Sequence, residues 1–245
     1  MAGHSKWHNI QERKGKMDKK RGKLFTKLGN EITMAAKAGT DPEINASLRE
    51  AINKAKSFNL PNDNIERAIK KAAGNLAGVN FENITYEGYG TNGVAVIVKA
   101  YTDNKNRTAG SIRHLFDKFG GNLGTSGSVK FMFDRKGQFI VEKTDNIDED
   151  ELMMFAIEND AEDFKVEDNV YEIISSPEDY LKVKKALEDY GIKFLEEGIV
   201  EIPTTLTKLS LEQSEKLSKF LDALEDDDDV DDVYHNADFP EDFKG

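Results

Sequence analysis

The sequence predicts an α+β protein with an N-terminal three-helix domain and two ferredoxin-like α/β domains, one inserted into the other. Three observations lead to this prediction. Apolar residues recur every three or four positions in the first third of the 245-residue chain, which is the period of amphipathic helices. The period becomes that of strands after Gly78. Residues 138–202 then contain strands and helices in the order βαββαβ, the order of a ferredoxin-like unit.

The helical domain is predicted to cover residues 1–78. Its first helix runs from Lys23 to Gly39, where glycine supplies a left-handed stop. The second helix lies in DPEINASLREAINKAKSFNLP and ends before Pro61. The third begins at Asp63. The first 20 or so residues have no apolar stripe, so we expect them to form a mobile arm.

The predicted middle domain is discontinuous. Residues 79–135 contain two strand-like runs, ITYEGYG and GVAVIVKAYTD, a helix in NKNRTAGSIRHLFDKFGG, and a further strand in SVKFMF. This segment lacks a second helix and an edge strand, and residues 204–245 contain one predicted helix and one predicted strand. We therefore predict that 79–135 and 204–245 form one domain, with the βαββαβ unit of residues 136–203 inserted between them.

Charge is distributed very unevenly along the chain. The formal net charge is −12, yet residues 1–74 contain 16 Lys and Arg against 8 Asp and Glu. Seven of the eleven residues in RKGKMDKKRGK are cationic, which is typical of a segment that contacts phosphates. An ordinary solvated terminus is the alternative. The predicted nucleic-acid contacts are Lys6, Trp7, Arg13, Lys14, Lys16, Lys19, Lys20, Arg21, Lys23, Lys27, Lys105 and Arg107.

Two of these predicted contacts lie in TDNKNRT, where a central strand passes into a helix. Lys105 and Arg107, together with Arg113 on the helix, could face an anion on one side of the molecule. The alternative is purely structural, because Asn104 or Asn106 could cap the helix.

No predicted site has the pattern of an enzyme or of a metal or cofactor site. Ser111, His114 and Asp117 lie on one helix, where the histidine cannot bridge both partners of a triad. GGNLGTSGSV lacks the ending of a P-loop. The acidic run from Glu225 to Asp232 lacks the glycine and glutamate of a calcium loop, so we expect a solvated turn or a contact with the basic arm. There are no cysteines.

The chain contains no run of about 18 apolar residues and no recognisable targeting segment. We therefore predict a cytoplasmic, bacterial protein without a membrane anchor. A protein partner could bind through the acidic α/β domains.

Several long motifs occur in a fixed order along the chain. They are MAGHSKW, KRGKLFTKL, DPEIN, NLPNDNIERAIKKAAG, YEGYG, TDNKNRT, GGNLGTSGSV and VYHNADF. With these motifs the chain resembles the YebC/PmpR family, which is also seen in the mitochondrial translational activator of cytochrome oxidase. The resemblance implies a helical N-terminal domain and two α/β domains, one interrupted by the other. Gln11-Glu12 and Asn30 depart from the basic residues that are common in the family at these positions.

The resemblance implies two roles, and the residues leave both open. One is a DNA-binding transcriptional regulator, as bacterial members are named. The other is a translation factor that binds ribosomal RNA and relieves stalled peptide-bond formation. No helix-turn-helix with base-reading side chains is evident, whereas a flexible basic arm suits folded RNA.

Overall fold

The computed structural model describes residues 21–73, 81–240 and 242–243. Its helices are α1 (Arg21–Ala36), α2 (Ala46–Ser57), α3 (Asn62–Ala72), α4 (Lys105–Lys118), α5 (Glu149–Glu158), α6 (Tyr180–Asp189) and α7 (Leu211–Glu225). Its strands are β1 (Glu82–Tyr89), β2 (Ala95–Thr102), β3 (Asn122–Leu123), β4 (Phe133–Glu142), β5 (Ala161–Val166), β6 (Val170–Ser175), β7 (Phe194–Pro203), β8 (Thr207–Lys208), β9 (Val230–His235) and β10 (Ala237–Asp238). The predicted α+β class, with three helices first and sheets after them, is confirmed.

The three N-terminal helices pack around a small apolar core. The second helix is capped by Asn45, whose side chain accepts a hydrogen bond from the backbone of Leu48. Ile32, Leu48 and Ala55 are fully buried where α1 meets α2. The third helix begins at Asn62, one residue before the predicted start, and has no side-chain cap. Small alanines in these contacts let the helices approach closely.

The first large sheet has the strand order β3-β1-β2-β9. Its central strand β2 is buried on both faces, as its continuous apolar sequence predicts. Helices α4 and α7 cover one face, where the rings of Phe116 and Phe220 meet edge to face with centroids 4.9 Å apart. The strand and helix that follow residue 203 therefore pack with β1, β2 and α4.

Asn236 links the start of β2 to the segment before β8. Its side chain is fully buried, accepts a hydrogen bond from Ala95 N at 2.8 Å and donates one to Thr205 O at 3.1 Å. The backbone next to it forms the short parallel pair of β10 with β8. The asparagine in the VYHNADF motif is thus structural, because it links two segments that are distant in sequence.

The second large sheet has the order β5-β6-β4-β7, and all its pairs are antiparallel. Helices α5 and α6 pack on one face of it around Phe139, Leu152, Ile173 and Leu187. The elements from β4 to β7 follow each other in the order βαββαβ.

Two local predictions are wrong. SVKFMF was expected as a strand, but it forms a 3₁₀ turn at Lys130–Met132 before β4 begins at Phe133. The amides of Val129 and Lys130 donate to a buried carboxylate, so they are unavailable to a strand ladder. Helix α6 begins at Tyr180 and not at Pro177, because Ser176 and Asp179 form a hydrogen-bonded turn just before it.

Within the described residues, no helix has the length and apolar character needed to span a bilayer.

Candidate nucleic-acid interface

The predicted arm contributes most of the expected phosphate contacts. Its members Lys6, Trp7, Arg13, Lys14, Lys16, Lys19 and Lys20 lie outside the described residues. Arg21 and Lys23 occupy the first turn of α1, a turn that contains no acidic residue. These two predicted contacts therefore lie where the described residues begin.

Lys27 contacts the folded part of the protein. Its Nζ donates a hydrogen bond to the backbone oxygen of Asp231 at 2.9 Å. Asp231 is the extra residue of a bulge in β9, where Lys99 pairs with Asp232 and Ala100 pairs with Val230. A bulge leaves one residue outside the ladder, so this carbonyl is available to Lys27. The contact fastens α1 to the edge strand of the first sheet.

The surroundings of the Asp231 side chain disfavour its charged form. Its partial burial and the neighbouring carboxylate of Asp232 raise its pKa to about 7, although Lys27 opposes the shift. The protonated form of Asp231 is therefore much more accessible at neutral pH than that of an exposed aspartate. The junction between α1 and β9 carries a titratable group within the physiological range.

The helical region also contacts the second sheet through ion pairs. Lys184 on α6 is almost buried and pairs with Glu50 on α2 and with Glu197 on β7, the latter at 3.1 Å. Lys54 on α2 pairs with Glu31 on α1 at 3.0 Å. Because Lys184 is held between two carboxylates from different parts of the chain, it stabilises the packing of the helices against the second sheet.

Lys105 and Arg107 lie at the start of α4, where Asn104 caps the helix as one alternative predicted. Lys105 pairs with Glu82 on β1. The guanidinium of Arg107 contacts Asp229 at 2.8 Å and Asp103 at 2.9 Å. Both cations remain partly exposed, but each is already next to a carboxylate of this chain. A phosphate at this site would have to compete with those carboxylates.

The acidic run from Glu225 to Asp232 is more than a solvated turn, so that expectation is wrong for two of its members. Asp229 accepts hydrogen bonds from the hydroxyls of Thr108 at 2.8 Å and Thr102 at 3.2 Å, besides Arg107. Asp227 accepts one from Ser111. The turn is therefore bound to the N-terminal half of α4. Alternating half-buried and exposed acids carry no periodic apolar pattern, so sequence reasoning missed these contacts.

The other face of the acidic run is directed towards α1. A shallow cleft there is lined by Thr26 and Lys27 from α1 and by Glu225, Asp227 and Asp228 from the run. The acids thus lie one turn from the beginning of α1, where the basic arm joins.

Glu87 is a buried carboxylate that the sequence analysis did not single out. It is only 3% exposed and accepts hydrogen bonds from the amides of Gly127 at 2.8 Å, Val129 at 3.0 Å and Lys130 at 2.8 Å. Burial alone would raise its pKa, but the three amide donors stabilise the anion and bring the pKa below its usual value. Glu87 therefore organises the glycine-rich loop between β3 and β4.

Two glycines allow the loop to adopt this conformation. A side chain at Gly124 would lie 2.4 Å from the hydroxyl of Ser128, and Gly127 has a φ of +85°. The loop runs into a 3₁₀ turn and a strand, so it does not present its amides from a helix start as a P-loop does.

The three triad-type residues of α4 have separate surroundings. Ser111 donates its hydroxyl to Asp227, while His114 and Asp117 are exposed on the same helix. Within residues 21–73, 81–240 and 242–243, no group of three or more His, Cys, Asp or Glu side chains is placed to hold a metal ion.

Two family models together match most of the chain. One, described as the TACO1/YebC protein N-terminal domain, matches residues 5–75, and the other, the TACO1/YebC second and third domain, matches residues 81–237. A probable transcriptional regulatory protein of Hathewaya histolytica is 60% identical over 98% of both chains. One from Clostridium novyi is 56% identical over the full length of both. The crystal structure of a conserved hypothetical protein from Aquifex aeolicus is 46% identical, with a TM-score of 0.82 over 91% of this chain and 93% of that one.

We expect Glu87→Gln to destabilise the protein by about 1–3 kcal/mol at neutral pH, because an amide cannot accept three amide hydrogen bonds as a carboxylate does. The folded pKa of Glu87 lies below the ordinary value of 4.5. Its stabilisation is therefore complete above that value and is lost as the pH falls through the lower folded pKa. Urea unfolding of wild type and variant across this range measures the difference. Glu82→Gln on the same strand is the control and should cost less than about 1 kcal/mol. A difference in unfolding free energy between wild type and variant that stays constant at all pH values would contradict the role of the Glu87 charge.

Asp229→Asn should destabilise the protein by about 1–3 kcal/mol, because it removes the charge that Arg107 and two threonine hydroxyls face. Asp228→Asn removes the same charge from the exposed neighbouring residue and should change stability by less than about 0.5 kcal/mol. Urea unfolding midpoints of the two variants give the comparison. Equal effects would mean that the acidic run is only a solvated turn.

Proposed function

Because the chain belongs to the TACO1/YebC family, we propose that it is a nucleic-acid-binding regulator of gene expression, acting in the cytoplasm as a DNA-binding transcriptional regulator without enzymatic activity or a cofactor. The names of its relatives support a role in transcriptional regulation. The single observation that carries nucleic-acid binding is the concentration of cations in the first 23 residues of an acidic chain. Lysine and arginine gain affinity for nucleic acid by releasing the counterions of phosphates.

Three cations in the part of the chain that the structure describes support the assignment of binding to the arm. Lys27, Lys105 and Arg107, which were predicted contacts, each have an acceptor within the protein. The arm residues Lys6, Trp7, Arg13, Lys14, Lys16, Lys19, Lys20, Arg21 and Lys23 are the proposed principal contacts.

The proposed domain boundaries are 1–78, 79–135 with 204–245, and 136–203. Their support lies in the course of β4, which passes from one core to the other. Phe133 packs with Ala95 and Ile97 against the first sheet, whereas Phe139 packs in the core of the second sheet. A boundary near residue 135 therefore divides the strand where its packing partners change.

A ribosome-associated translation factor that binds ribosomal RNA and relieves stalled peptide-bond formation is the second candidate. The observation that favours it is the type of cation exposed on α2 and α3. Their exposed cations, Lys56, Arg67 and Lys70, are long flexible side chains that suit phosphates better than base edges. The acidic remainder of the chain would be repelled by a duplex except where the arm docks. Its acidic α/β domains could bind a protein partner.

Neutralising the arm should weaken binding and flatten its salt dependence. We expect the quadruple variant Lys14→Gln, Lys16→Gln, Lys19→Gln and Lys20→Gln to lower the slope of log affinity against log salt by about three, since each phosphate contact contributes about 0.7–0.9. Fluorescence anisotropy between about 50 and 200 mM salt measures the slope.

The matched control replaces four exposed lysines of the inserted region, namely Lys165, Lys182, Lys185 and Lys193, by glutamine. The control should keep the wild-type slope. If the arm variant also keeps it, the arm is not the main contact.

Crosslinking in cells, followed by sequencing of the attached nucleic acid, separates the two candidate functions. Enrichment of promoter DNA is the result expected of a transcriptional regulator. Enrichment of ribosomal RNA near the peptidyl-transfer region would overturn that proposal and establish the translation role. The arm variant should lose the enriched fragments in either case, which serves as the specificity control.

A further inference from the structure

The loop between β3 and β4 places an aromatic side chain in solvent. We propose that this loop, residues 124–131, is a second nucleic-acid contact that binds one unpaired nucleotide, with the base stacked on Phe131 and the phosphate at Thr125 and Ser126. The proposal rests on the proposed function, because it names a further site for the same class of ligand and specifies its single-stranded form.

Phe131 is the most exposed aromatic residue in the described part of the chain. Its side chain is 75% exposed, whereas the next most exposed aromatic side chains, Phe58 and Tyr190, are 41% and 38% exposed. Its neighbours Val129 and Phe133 are buried in one apolar cluster. Val129 and Phe133 therefore anchor the turn in the core on either side of Phe131, whose ring lies in solvent.

The loop is held in one conformation by contacts that leave its tip free. Three of its amides donate to the buried carboxylate of Glu87, and Ser128 N donates to Thr125 O at 3.0 Å across the turn. Gly127 occupies the position of this turn that requires positive φ. On the far side, Thr204 N donates to Met132 O at 2.9 Å. A rigid loop presents its ring with little loss of conformational entropy on binding.

The exposed surface of the loop carries no acidic side chain, although the buried anion of Glu87 lies beneath it and already accepts hydrogen bonds from three of its amides. No Asp or Glu occurs from Lys118 to Phe133, although the chain has 46 of them in 245 residues. Lys130 is exposed next to the ring. Within the described residues, the amides of Thr125 and Ser126 donate to no acceptor. Two adjacent amides are therefore available to an anion, and Lys130 adds a positive charge to the same loop.

An unpaired nucleotide fits this combination better than a duplex or an apolar peptide. A single exposed ring offers a face for stacking, and a base in a duplex has no free face to stack on it. The other exposed positions of the loop are Gly124, Thr125, Ser126, Gly127 and Lys130, which are polar or lack a side chain. An apolar docking surface would present more than one apolar side chain there.

The first test compares two variants at position 131. Phe131→Leu keeps an apolar side chain but removes the ring, and Phe131→Tyr keeps the ring. We expect Phe131→Leu to weaken binding of a labelled single-stranded oligonucleotide by about 5- to 150-fold. Binding of the matching duplex should stay unchanged, and Phe131→Tyr should bind both as wild type does. Met154→Ala, which shortens an exposed apolar side chain on α5, is the control and should have no effect.

The second test reports contact at the loop itself. The chain has a single tryptophan, Trp7, so the double variant Trp7→Phe and Phe131→Trp carries its only indole at the loop. Addition of a single-stranded oligonucleotide should quench this fluorescence, whereas an abasic oligonucleotide of equal length and charge should not. Because residue 131 is exposed, the urea unfolding midpoint should match that of wild type.

The outcomes separate this inference from the proposed function. If wild type binds with a steep salt dependence but Phe131→Leu binds equally well and the indole is not quenched, the loop contact is wrong while the arm contact stands. If Phe131→Leu weakens duplex and single strand equally, the unpaired nucleotide is wrong. If wild type binds neither oligonucleotide, both proposals are overturned.

Discussion

The pairing of β9 with β2 is the constraint on which the arrangement of this protein depends. Val233 lies opposite Val98, so a strand from the end of the chain completes a sheet that begins near its middle. This pairing brings the acidic turn before β9 to the start of α4, where Asp229 meets Arg107 and two threonines. It also places the bulge of β9 where Asp231 can accept the hydrogen bond from Lys27.

One consequence of this closure is that several cations of the folded part have internal acceptors. The fold brings acceptors to Lys27, Lys105, Arg107 and Lys184, whereas others, such as Lys56 and Arg67, stay exposed. The arm has few acids in its own sequence, with Glu12 and Asp18 among its many basic residues. The charge asymmetry along the chain therefore becomes a division between internal ion pairs and a cationic terminus, which is the physical basis of the proposed function.

Patterns of apolar residues were sufficient to predict the α+β class, the three helices and the order of elements from β4 to β7, because each depends on local periodicity. Contacts between segments that are distant in sequence were not predictable in this way, because local periodicity carries no information about them. Glu87 reads as one acid in YEGYG, and only the structure shows three amides around it. The same holds for Asp229. Arg107 was expected to face an external anion, and the carboxylate that it contacts is supplied by a turn more than a hundred residues later.

The connection between the two large sheets has a mechanical consequence. The chain enters the second sheet along β4 and leaves it along β7, and these two strands pair continuously from Phe133 opposite Pro203 to Gln138 opposite Gly198 and beyond. The first residue of this ladder also packs on the first sheet, because Phe133 lies in one apolar cluster with Ala95 and Ile97. Lys99 of β2 pairs with Glu201 of β7 at 2.9 Å. Rotation of one sheet against the other would therefore break an apolar contact and an ion pair, in addition to bending two paired strands.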